Sequence, residues 1–74
     1  MKLSEFRRAV SDEFGEGYGR VLTHDTVLAQ LGSRTPDEAL ADGVPAGEVW
    51  LALCAANDVP MPRRHGVGLP QPRS

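Results

Sequence analysis

TPDEALADGVPAGEVWLALCAAN, residues 35–57, decides the fold. Thr35 is an N-cap type, Pro36 suits the first helical position, and Glu38 stands three residues after Thr35, the spacing of a capping box. Asp37 and Glu38 put negative charge in the first turn, where the helix dipole favours it. Ala39 and Leu40 supply a small apolar face, and Asp42-Gly43 closes a two-turn helix. Val44 and Pro45 reopen the chain. From Ala46 the residues Val49, Trp50, Leu53 and Cys54 or Ala56 follow helical spacing, which predicts a second helix to about Asn57. Asp58-Val59-Pro60 stops it, because a residue before proline avoids the helical region. A short helix, a tight turn and a longer helix have helix-turn-helix proportions.

Upstream the same logic holds. Leu3, Phe6, Val10 and Phe14 recur at spacings of 3, 4 and 4, one apolar stripe on a helix. Ser4 is the expected N-cap, Glu5 lies in the first turn, and Gly15 ends the helix. Tyr18, Val21 and Leu22 form one apolar patch, and Val27, Leu28 and Leu31 another. Thr23-His24-Asp25-Thr26 lies between them. The reading is a helix near 16–23, then a short helix or a continuation from Asp25 to Leu31, stopped by Gly32. No run of four residues alternates as a strand with turn chemistry beside it. The expected fold is all-α: a compact bundle of four or five short helices around one core, with a helix-turn-helix-like C-terminal half.

The chain has 74 residues and a formal net charge of −2, enough for one small domain. Residues 1–60 hold all ten acids against five bases, a balance of −5. Residues 61–74 hold Arg63, Arg64 and Arg73 with no acid, among prolines and glycines. The expected organisation is therefore a helical domain over 1–60 and a disordered tail over 61–74. No apolar run approaches the ~18 residues of a membrane span. Lys2 has no apolar stretch behind it, so no secretory signal is expected. One cysteine, Cys54, excludes an internal disulfide framework and fits a reducing, cytoplasmic setting.

The residues that carry chemistry do not assemble into a set. His24 and His65 with Cys54 lack the paired short spacings of a zinc site. Cys54 falls near a helix C-terminus, where the dipole disfavours a thiolate, so it reads as core. Asp37 and Glu38 splay about 100° apart on a helix. Glu16-Gly17-Tyr18-Gly19 has the composition of a phosphate loop without its lysine and hydroxyl. The expectation is no enzyme, no metal and no cofactor.

Two binding readings remain. Trp50 reads as a core anchor. Its neighbour Leu51 then points about 100° away, and Leu51 with Val44 would form an exposed apolar patch for a partner protein or a second copy. The alternative is nucleic acid, held by the 35–57 motif with Arg63 and Arg64. A recognition helix reads bases with Arg, Lys, Asn or Gln, however, and residues 45–53 contain none of these.

Leu31-Gly32-Ser33-Arg34-Thr35 and Val49-Trp50-Leu51-Ala52-Leu53-Cys54, with Leu3-Ser4-Glu5-Phe6, Glu13-Phe14-Gly15, Glu38-Ala39-Leu40 and Asp58-Val59-Pro60, resemble a family of small actinobacterial proteins carrying a domain of unknown function. The likeness spans residues 1 to about 65, and its specific parts are Leu-Gly-x-Arg-Thr and Val-Trp-x-x-x-Cys. It implies a cytoplasmic actinobacterial protein, often encoded near recombinase genes, and it transfers no catalytic residue. Gly17 and Gly19 depart from the family pattern, which leaves the start of the second helix open.

Overall fold

A computed structural model describes residues 1–60, and Arg63, Arg64, His65 and the expected tail lie outside those residues. The order is α1 (Leu3–Phe14), α2 (Glu16–Asp25), a 3-10 turn (Ala29–Leu31), α3 (Pro36–Ala41) and α4 (Ala46–Ala56). Among the described residues there is no strand beyond one isolated antiparallel bridge, Leu28 to Arg34. The fold is all-α.

The core is built around α4. Val49, Trp50, Leu53 and Cys54 are buried, and Phe6, Ala9 and Val10 of α1 meet them with Leu22, Leu28, Leu31 and Ala39. The Trp50 ring meets Phe6 edge-on, with centroids 6.5 Å apart, and Phe14 at 6.4 Å. Such geometry adds about 0.5–1.5 kcal/mol per pair beyond the area buried.

α1 starts two residues earlier than Ser4 predicts. The Glu5 carboxylate accepts the Lys2 N–H at 2.7 Å, so the chain enters the helix at Leu3 and Ser4 lies inside it. Leu3 is consequently half-exposed, and the buried stripe is Phe6, Ala9 and Val10, with Phe14 partly covered. Gly15 joins α1 to α2 with φ 88° and ψ 155°, a conformation that glycine alone adopts at low cost. Its N–H donates to Ser11 C=O and its C=O accepts from Gly19. One residue thus serves both helices.

α2 runs to Asp25, which is its last residue rather than the cap of a following helix. Tyr18, Val21 and Val27 are exposed, while Leu22, Leu28 and Leu31 are buried, so each expected apolar patch is split between solvent and core. Between Leu28 and Arg34 the chain closes on itself. Leu28 N–H donates to Arg34 C=O, and Ser33 N–H returns to Leu28 C=O.

α3 begins as its sequence predicts: Thr35 Oγ1 accepts Glu38 N–H at 3.1 Å, and Glu38 Oε1 accepts Thr35 N–H at 2.9 Å. It ends in a Schellman motif. Gly43 N–H donates to Leu40 C=O, and Val44 N–H to Ala39 C=O. α4 ends the same way, with Asp58 N–H near Ala55 C=O and Val59 N–H donating to Cys54 C=O. The helix therefore stops at Ala56 because Asp58 turns left-handed, φ 56°, and Val59 folds back into the core.

Candidate interaction surface

The Schellman motif that closes α3 also corrects the expectation for Val44. Folding back on Ala39 brings this residue against the core, so it is half-buried rather than exposed. Leu51 is 50% exposed, as expected. The two share one feature. They line a groove of about 620 Å³ with Leu31 and Arg34 from the 28–34 turn and Glu48, Ala52 and Ala55 from α4.

The groove side of α4 carries Glu48, Leu51 and Ala55, spaced i, i+3 and i+7 on one helix face, with Ala52 buried between them at the groove floor. Val49, Trp50, Leu53 and Cys54, with Ala52 at the border, carry the helix into the core. α4 is thus apolar on both sides, and Glu48 is its one charged residue among eleven. A helix with this pattern is normally enclosed by protein. Here one side looks into an open groove.

Two charged residues flank the groove. Arg34 is already committed: its Nε donates to Leu31 C=O at 2.7 Å and its Nη1 to Asp42 Oδ2 at 2.9 Å. These bonds tie the 28–34 turn to the end of α3 and hold the groove wall in place. Glu48 has no ion pair or side-chain hydrogen bond among the described residues.

A second cleft, about 540 Å³, lies where α1, α2 and α3 meet, and Arg7, Arg8, Arg20, Glu16 and Asp37 line it. Its charges are largely matched. Arg7 Nη1 is 2.9 Å from Asp37 Oδ1, and Arg20 Nη2 is 3.7 Å from Glu16 Oε1. His24 Nδ1 stands 3.8 Å from Asp37 Oδ2. Asp37 Oδ1 is buried without a well-aligned hydrogen bond, so its contact with Arg7 is ionic. Asp37, read from sequence as a first-turn acid, therefore also joins three helices. That role needed the fold, because Arg7 and His24 are distant in the chain.

Cys54 is fully buried, and His24 is exposed on α2, so the structure does not bring them together. Among the described residues no three His, Cys, Asp or Glu side chains are grouped to hold a metal ion. No helix there is long and apolar enough to cross a membrane. Sequence reasoning singled out Leu51 and Val44 but missed Leu31, Arg34, Ala52 and Ala55. The signal that α4 has a second apolar side was present in its near-absence of charge.

These features define a small helical domain organised around an apolar central helix, with one side of that helix opening on a groove. The chain belongs to the family described as Protein of unknown function (DUF3046), whose model matches residues 1–62. No curated protein and no solved structure matches it.

Proposed function

We propose that this chain is a non-catalytic protein-interaction module that docks a partner protein over the groove bounded by Val44 and Leu51. The observation that carries this reading is α4 itself, apolar on both sides with Leu51 half open to solvent. Burying such a side chain fully yields about 1.5–3 kcal/mol, so one well-filled groove supplies a useful anchor. The resemblance implies a cytoplasmic, actinobacterial setting near recombinase genes, which supports a connection to DNA repair through a protein partner as readily as through DNA.

The competing reading is nucleic-acid binding through residues 35–57 with Arg63 and Arg64. The outward residues of α4 argue against it. Glu48 repels phosphates, and Leu51 and Ala55 offer no hydrogen bond to a base edge.

Quantitative co-purification from the source organism tests the proposal with three forms of the full chain: wild type, Leu51→Glu and Val21→Glu. Val21 is the control because it is as exposed as Leu51, 51% against 50%, but lies on α2 away from the groove. The expected result is a discrete protein retained by wild type and Val21→Glu and lost with Leu51→Glu. A retained set unchanged by Leu51→Glu contradicts the reading. Duplex DNA binding that weakens steeply with salt and requires Arg63 and Arg64 supports the competitor.

A further inference from the structure

Resting on that reading, we propose that the occupant of the groove is a short basic amphipathic helix, whose aliphatic side chains enter beside Leu51 and Ala55 and whose lysine or arginine pairs with Glu48.

Three features of the groove set this chemistry. The first is its shape. Glu48, Leu51 and Ala55 form a stripe along α4 over the buried Ala52, and Leu31 and Val44 also line the groove. Leu51 is the one large side chain on the outward stripe. Ala55, partly exposed and one turn beyond Leu51, is small enough for a second helix to approach closely, toward the ~8 Å near limit of helix packing. Helix-in-groove recognition uses anchors at i, i+3, i+4 and i+7 spacing.

The second feature is charge. The guanidinium at the groove, Arg34, is neutralised by Asp42 and held by Leu31 C=O, so it has little left for an acidic partner. The carboxylate at the groove, Glu48, faces solvent with no partner among the described residues. The open valence of the groove is therefore negative. The third is the field of the whole domain. Ten acids against five bases over residues 1–60 attract a basic segment and repel an acidic one at long range.

A displayed library of 14-residue amphipathic helices tests this, with a fixed aliphatic stripe and randomised flanking positions, panned on the full chain. Enriched peptides should carry Lys or Arg beside the aliphatic anchors. Leu51→Glu should weaken them at least tenfold. Glu48→Lys should weaken them about threefold to fivefold, as a partly exposed ion pair allows, and a Lys→Glu exchange in the peptide should restore binding to that variant. Peptides that lose binding on Leu51→Glu but are neutral or acidic overturn the basic helix while leaving the interaction reading standing. A library that yields no binder sensitive to Leu51→Glu also overturns it, whereas the co-purification above judges the underlying reading separately. Sedimentation of the full chain identifies a second copy as the occupant if a dimer forms and Leu51→Glu abolishes it. An Arg63→Glu, Arg64→Glu double variant that binds the peptides more tightly than wild type identifies the chain's own C-terminal residues. Either of these results overturns the proposal.

Discussion

Gly19 lies where α1 and α2 touch. A Cβ at this position would stand 2.7 Å from Val10 Cγ1 and 3.2 Å from Val10 C=O, closer than atoms approach without a shift. Val10 is β-branched and stiff, so it cannot turn aside cheaply. Gly19→Ala gains about 1 kcal/mol of helix propensity, but the overpacking costs about 1–3 kcal/mol. The expected net is a loss of about 1 kcal/mol in denaturant unfolding. Gly17 has nothing within 4 Å of the same added atom. Gly17→Ala should therefore stabilise, by about 0.5 kcal/mol. From the sequence the two glycines are indistinguishable, because their difference is an interhelical distance that no local pattern carries. Asp58 offers the opposite case. It holds φ 56° at the left-handed position that closes α4, a conformation that Asp tolerates better than most L-residues but that glycine adopts without the Cβ penalty. Asp58→Gly should raise the melting temperature, and an unchanged or lowered value would contradict the Schellman assignment.

At the scale of elements, the helix ends were legible where side chains cap the backbone and obscure where the backbone caps itself. Thr35 and Glu38 announce α3 because their reciprocal bonds are local in sequence. Thr35→Ala should cost about 1 kcal/mol. The fold-back of Val44 and Val59 is set instead by left-handed turns and by a hydrophobic contact with the preceding turn, so Val44 was expected in solvent. The faces of α4 separate cleanly by the same reasoning. Leu53 is fully buried, and Leu53→Ala should cost about 2–5 kcal/mol of stability. Leu51 is half exposed, and Leu51→Glu should stay within about 0.5 kcal/mol of wild type in the isolated protein. Equal losses at the two positions would mean that the groove is already closed within the chain.

At the scale of the whole molecule, the blocks that carry the family resemblance are mostly structural. Val49, Trp50 and Cys54 are buried in the core, and Leu31 to Thr35 form the turn that Arg34 fastens to α3. The fold class was therefore readable, since periodicity and capping dictate it. The groove was only half readable, because its far wall comes from residues 30–34, about twenty positions from Leu51. The central claim is that something covers the Leu51 face of α4 in the cell. The most direct measurement is photo-crosslinking in living cells, with a photoreactive amino acid placed in turn at Leu51, Ala55, Val21 and Arg8. The account predicts one discrete adduct from positions 51 and 55 and none from 21 or 8. Adducts of equal yield from all four, or from 21 and 8 alone, would contradict it.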